Sequence, residues 1–292
     1  MHLRGRAWRG NQRGWWLCLC CFLLFAMGLA PEAAAIPKQA PHSSVELISE
    51  NSTVSAGTDF SLGLLFRLDP HWHIYWVNPG DSGEPPRVSW QLPQGFTADA
   101  IQWPTPKRLP TGTLLDFGYE QQVLLPVRVH IPAAVAQQVP IHAAVRWLVC
   151  GDICIPAKAE VDLSLPVGAR PIVNPQAAPL FQQARASLPK PVPKGWKLSF
   201  EDSKDEIRLS INSAGKLRSA VFFPLDANVI EDSSPQRVRK SASGFTLSLR
   251  KSDQLTGPLT LLRGVLADSE SHSYEVSVPV PASAGKGRGS SK

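Results

Sequence analysis

Two cysteines separated by three residues, Cys150 and Cys154, are the side chains best suited to chemistry in this 292-residue chain. The other three, Cys18, Cys20 and Cys21, lie in an apolar N-terminal stretch, where they serve as small hydrophobes. A thiolate attacks a disulfide sulfur in line, and a second thiol resolves the mixed disulfide; an adjacent pair supplies both roles. Cys150-Gly151-Asp152-Ile153-Cys154 directly follows an alternating segment ending at Val149. A three-residue connection with Gly and Asp suits a tight hairpin. The two cysteines then oppose each other at roughly 4.5–5.5 Å between Cα atoms, a separation that a disulfide accepts. Such a bridge has two readings. As a staple it is inefficient, because closing a loop of about five residues stabilises by only roughly 2 kcal/mol. As a short bridge carried on a loop, it is well placed for exchange.

Other chemistry is thinly represented. His71 and His73 are separated by one residue and would share a face on a strand, so with Cys150 and Cys154 they could bind copper(I) or zinc. The alternative is a packed aromatic segment, since Trp72, Tyr75 and Trp76 surround them and buried histidines commonly just satisfy hydrogen bonds. No nucleophile elbow, paired-carboxylate arrangement or phosphate-binding loop is present, which leaves hydrolase chemistry without support. No organic cofactor is called for.

The elements that would position the pair are strands. Phe60, Leu62, Leu64, Phe66 and Leu68 alternate, as do Val123 to Val129, Ile141 to Val149 and Ala159 to Leu165. Turn clusters such as Asn78-Pro79-Gly80-Asp81-Ser82-Gly83 separate them. This pattern predicts an all-β chain of two β-sandwich domains, the first over 41–168 and the second over 194–283. Residues 169–193 read as a linker containing a short helix at Leu180–Leu188, closed by Pro189, Pro191 and Pro193. The tail at 284–292 is Gly/Ser-rich and reads as disordered.

Residues 1–35 have the layout of a signal peptide. Arg4, Arg6, Arg9 and Arg13 precede an uncharged stretch from Trp15 to Ala30, followed by Ala33-Ala34-Ala35. An uncleaved membrane anchor is the alternative, but the stretch falls short of the roughly 20 residues that span a bilayer. Removing the leader leaves 26 basic and 23 acidic residues, a net +3, so nucleic acid is a poor partner. Export also implies an oxidising compartment in which a lone pair of cysteines can form a disulfide. Five of the six tryptophans after the leader precede residue 170, which directs attention to the first domain.

Trp147-Leu148-Val149-Cys150-Gly151-Asp152-Ile153-Cys154-Ile155-Pro156 and His71-Trp72-His73-Ile74-Tyr75-Trp76-Val77-Asn78-Pro79-Gly80-Asp81-Ser82-Gly83 resemble the periplasmic N-terminal region of the DsbD/ScsB thiol:disulfide interchange proteins. The likeness is nearest to the ScsB branch. It continues through Gln102-Trp103-Pro104 and Gly118-Tyr119-Glu120 and, more faintly, at Phe222-Phe223-Pro224. The resemblance implies an immunoglobulin-like redox domain acting as a protein-disulfide reductase in the periplasm. It would accept electrons from a separate membrane-embedded thiol-disulfide donor and pass them to thioredoxin-like proteins, in settings such as cytochrome c biogenesis or copper tolerance. It further implies that Cys154 forms the mixed disulfide and Cys150 resolves it. An aromatic cap loop is implied at Leu114 to Tyr119, with Phe117 or Tyr119 as the shield, unless both are simply core aromatics. Asp116 and Asp152 would raise a nearby thiol pKa, or Asp152 would only form the turn. The competing function is a non-catalytic envelope binding protein with a structural disulfide or a copper-binding Cys/His site.

Overall fold

Alternation along Phe60–Leu68 turns Leu62, Leu64 and Phe66 into the core, and the opposite side of the same strand is also covered, because Leu65 is buried too. The computed structural model describes residues 2, 36–212, 220–269 and 272–279. The expected leader, apart from residue 2, and the expected tail lie outside the described residues.

The described elements begin with β1 (Lys38–Ala40), β2 (Ser43–Ser49), β3 (Asn51–Thr53), β4 (Phe60–Leu68), β5 (His73–Gly80) and β6 (Arg87–Gln91). They continue with β7 (Thr97–Ala98), β8 (Lys107–Thr111), β9 (Leu114–Glu120), β10 (Gln122–His130), β11 (Gln138–Cys150), β12 (Cys154–Pro166) and β13 (Ile172–Val173). Helix α1 (Ala178–Ala186) is followed by β14 (Lys190–Pro191), β15 (Lys197–Asp202), β16 (Glu206–Asn212) and β17 (Val221–Pro224). The last strands are β18 (Arg237–Lys240), β19 (Gly244–Arg250), β20 (Leu261–Ser269) and β21 (His272–Pro279). The described residues are all-β apart from this short helix, as the strand periodicity predicts.

In the first sandwich a sheet ordered β1-β2-β4-β10-β7 faces one ordered β12-β11-β5-β9-β8, with β6 also paired to β11. Phe66, Trp76, Phe117, Leu125, Trp147 and Val149 fill the space between them. Trp147 meets Phe66 edge-on at 5.5 Å, and its Nε1–H donates to Ser43 Oγ at 3.1 Å, so its one polar atom is satisfied in the core. Helix α1 lies on the outer side of β4 and β10, where Phe181 and Ala184 pack against Leu65 and Leu124. Arg185 grips Glu50 with both guanidinium nitrogens, at 2.8 and 2.6 Å. The linker segment is therefore fastened to the first sandwich.

The second sandwich pairs β14-β21-β20-β17 with β15-β16-β19-β18 around Phe200, Leu209, Phe222, Leu247 and Leu266. Strand β17 serves two cores. Phe222 points into the second, whereas Phe223 joins Val265 and Ala267 in the core of the first. Phe223 meets Phe117 at 5.2 Å and Trp76 at 6.3 Å, both edge-on. Asn78 Nδ2 donates to the Pro224 carbonyl at 2.8 Å. The Asn78–Gly83 segment, expected as a turn, instead carries β5 on through a bulge to Gly80, and this extension delivers Asn78 to the second sandwich.

A buried acid sits at the same junction. Arg108 Nη2 donates to the Asp232 carbonyl at 2.8 Å, while Asp232 Oδ1 has no hydrogen-bond partner among the described residues. Burial, reinforced by repulsion from Asp81 and opposed by Arg108, pushes the Asp232 carboxyl up to about 7. The folded state thus holds a proton that the unfolded chain releases near the ordinary carboxylate pKa. Its contribution to stability is full below about pH 4 and is lost as pH rises to about 7. In urea unfolding at several pH values, Asp232→Asn is expected to flatten this slope and to stabilise by about 1–2 kcal/mol at pH 8. An unchanged slope would assign the pH dependence to other groups.

Candidate functional site

The pair is made by the longest hairpin in the described chain. β11 and β12 pair from Gln138↔Pro166 to Cys150↔Cys154, and the two cysteines close the ladder with their Cα atoms 4.1 Å apart and a disulfide between them. Gly151, Asp152 and Ile153 form the tip, tightened by a bond from Gly151 N–H to the Ile153 carbonyl at 3.0 Å. The indole of Trp72 underlies the tip so closely that a Cβ at Gly151 would stand 3.2 Å from it. Trp72 is itself stacked on His42, with ring centroids 3.8 Å apart.

The two sulfurs are not equivalent. Cys150 is 1% exposed and sits beside His73 of β5 in the sheet, whereas Cys154 is exposed. Ile153, next to Cys154, is 64% exposed. The bridge thus presents its Cys154 side to solvent, and a thiolate that attacks there has Cys150 as its leaving group.

Polar groups from β5 and β9 lie behind the bridge. The Tyr75 hydroxyl is 3.6 Å from Cys154 Sγ. Burial, with a lesser contribution from the Asp116 charge, raises the Tyr75 pKa, so the phenol keeps its proton. The ring is held against Gly83, whose φ is +80°, and a Cβ there would fall 2.1 Å from Tyr75 Cζ. Asp116 is fully buried. It accepts from Ser82 N–H and Oγ–H at 3.1 and 2.8 Å and from Thr111 Oγ1–H at 3.1 Å, and His73 Nε2 lies 3.5 Å away. Burial works to raise the Asp116 pKa, but His73, Ser82 and Thr111 outweigh it and hold the carboxyl below its usual value.

Several expected residues stand elsewhere. The segment from Leu114 to Tyr119 is strand β9 and not a cap loop. Phe117 is fully buried against Phe223, and Tyr119 is buried with its hydroxyl donated to the Pro104 carbonyl at 2.6 Å. Their shielding role does not fit, because side chains alternate along the strand and Asp116 takes the face toward His73 and Tyr75. Asp152 is an exposed residue of the hairpin tip. His71 and His73 do not share a strand face. His71 precedes β5 in a left-handed conformation, with φ 71°, while His73 is buried beside Asp116. Among the described residues no group of three or more His, Cys, Asp or Glu is placed to hold a metal ion. Tyr75, Ser82 and Thr111 went unforeseen as site residues, although Tyr75 follows His73 by two and so shares its face.

Residues 44–166 match the family model described as thiol:disulfide interchange protein DsbD, N-terminal. Among solved structures, the N-terminal periplasmic domain of ScsB from Proteus mirabilis matches with a TM-score of 0.63 at 16% identity, covering 84% of this chain and 98% of that one. A cohesin module of a family 33 glycoside hydrolase from Clostridium perfringens matches with a TM-score of 0.29 at 10% identity, over 46% of this chain and 98% of that one. No curated protein matches. Over residues 44–166 by sequence, and over 84% of its length by fold, this chain is similar to the N-terminal periplasmic region of the DsbD/ScsB thiol:disulfide interchange proteins.

Proposed function

We propose that this chain is a periplasmic thiol-disulfide exchange module, a protein-disulfide reductase that cycles the Cys150–Cys154 bridge. The observation that carries the reading is the asymmetry of the bridge: one cysteine is an exposed residue at the tip of a hairpin and the other is buried behind it. The hairpin is already held by the pairs below the bridge, so the disulfide adds little topological constraint. The match to the DsbD N-terminal family model supports the same chemistry. No helix among the described residues is long and apolar enough to cross a membrane.

In the forward direction a donor thiolate attacks Cys154 Sγ. The Cys150–Cys154 bond breaks and Cys150 leaves as a thiolate that takes up a proton. A second donor thiolate then attacks the donor sulfur of the mixed disulfide and releases Cys154. The donor ends as a disulfide and the module as a dithiol, two electrons having moved. The reduced module passes them on by the reverse sequence, with Cys154 attacking a partner disulfide and Cys150 resolving it. Tyr75 keeps its proton and stands within reach of Cys154 Sγ, so it can donate to the thiolate that forms there. The Asp116 charge adds to the burial that keeps the Tyr75 phenol protonated and so available as that donor. The cycle requires a dithiol donor and a disulfide-bearing acceptor, and a membrane-embedded thiol-disulfide protein and thioredoxin-like periplasmic proteins fill these two roles in the proposal.

The test is the reduction potential of the pair, measured on a chain with Cys18, Cys20 and Cys21 replaced by Ala by equilibrating it with glutathione buffers and counting free thiols. A value between about −180 and −270 mV is expected of an exchange site. A bridge that stays closed below about −300 mV would make it structural and overturn the proposal.

A further inference from the structure

One row of the outer sheet face carries an arrangement that the fold does not need. In the register of β11, Arg146 stands opposite Lys158 of β12 on one side and opposite Arg87 of β6 on the other. Three cations thus lie side by side across three strands, and all three are exposed. Like charges directly opposite one another in a sheet are destabilising. Among the described residues none of the three is paired with a carboxylate, unlike Arg67, Arg185 and Arg263 elsewhere.

The row forms one wall of a groove floored by Leu148, Pro156 and Ala157, whose acidic lining among the described residues is Glu84. The groove reaches the redox site. Leu148 pairs with Pro156, and the next pair on the same face is Cys150 with Cys154. Gly83 at its rim is the residue packed on Tyr75, which in turn touches Cys154 Sγ.

We infer that this groove docks an extended acidic segment of the protein that exchanges with Cys154, its apolar floor and three cations receiving carboxylates. The inference rests on the exchange reading and adds to it a recognition surface and a partner chemistry. Arg146 lies four residues along β11 from Cys150, so the partner's carboxylates fall roughly 13 Å from its reacting sulfur. A protein segment is favoured over an anionic membrane surface because the cations line a groove with an apolar floor continuous with the disulfide, where a membrane would meet a flat patch.

The probes are two synthetic peptides, each carrying one cysteine activated as its mixed disulfide with thionitrobenzoate. One has three glutamates starting four residues from the cysteine, and the other has three lysines. In the Cys150→Ser chain with Cys18, Cys20 and Cys21 also replaced by Ala, the Cys154 thiolate attacks the peptide sulfur and the coloured thionitrobenzoate thiolate leaves, so the rate is read directly. At about 20 mM salt the glutamate peptide is expected to react roughly tenfold or more faster than the lysine peptide, with the ratio falling to within about twofold at 0.5 M. Adding Arg146→Glu and Lys158→Glu is expected to invert the low-salt preference. Neutral 4,4′-dithiodipyridine reports whether Cys154 itself reacts. A normal rate with that reagent but equal rates for the two peptides would overturn the docking inference alone. No reaction with it would overturn the exchange reading and the inference with it. Equal peptide rates together with charge-dependent binding to phosphatidylserine vesicles would reassign the row to a membrane surface and so overturn the inference.

Discussion

In a Cys154→Ser chain, exchange with a thioredoxin-like partner is expected to fall to background, a loss of at least about a thousandfold, while the fold survives. The size of the loss follows from geometry. Cys154 is the exposed cysteine, and Cys150, at 1% exposure, cannot take over the encounter with a protein partner. Survival of the fold follows from the hairpin, in which the cysteines form only the last pair of a ladder that runs back to Gln138↔Pro166. Opening so short a loop removes roughly 2 kcal/mol at most, which the sandwich core can bear. The complementary Cys150→Ser chain keeps the attacking thiol and loses the resolving one, so it should accumulate as a mixed disulfide with its partner. Non-reducing electrophoresis after mixing distinguishes the two, and circular dichroism confirms that both are folded. If both variants unfolded, the bridge would be a staple; if Cys150→Ser rather than Cys154→Ser lost all reaction, the two roles would be reversed.

The cysteine pair, the hairpin and the strands that flank it were legible because each is encoded locally. Alternation from Ile141 to Val149 fixes which side of β11 is buried, and the Gly-Asp tip fixes how the next strand returns, so opposition of Cys150 and Cys154 follows within one stretch of chain. The surroundings of the pair were less legible because they come from elsewhere in the sequence. Asp116 meets His73 across the sheet, and Ser82 reaches Asp116 only because a bulge lengthens β5 by the right amount. Bulges leave no clear mark in periodicity. The cap expectation at Phe117 and Tyr119 failed for a related reason. A run of Leu, Asp, Phe, Gly and Tyr reads as a loop when its partners are unknown, but with β5 on one side and β8 on the other it completes a sheet, and alternation then sends both aromatics inward. Phe222-Phe223-Pro224 stood out only as a faint part of the resemblance, with nothing in it to mark a junction. Its meaning emerges once the strand is seen to have a core on each face.

That double burial leads to the second large effect: Phe223→Ala is expected to destabilise the protein by about 3–5 kcal/mol. Phe223 is 4% exposed and stands edge-on to both Phe117 and Trp76, so truncation leaves a cavity lined by rigid aromatic rings that cannot easily collapse into it. The loss should not stay within the second sandwich. Phe117 belongs to β9, the strand that carries Asp116, and Trp76 belongs to β5, the strand that carries Tyr75. The neighbouring tether from Asn78 to the Pro224 carbonyl would lose its packing as well. Phe222→Ala is the natural comparison, because it empties a site of similar size in the second core and has no contact role in the first. Urea unfolding followed separately by tryptophan fluorescence, dominated by the first sandwich, and by hydrogen exchange in β16 and β19 tells the cases apart. If the two sandwiches share the Phe223 junction as one cooperative unit, both probes shift together in Phe223→Ala. If fluorescence alone held its midpoint, the junction would be a contact between independent domains, and the redox face would not depend on it.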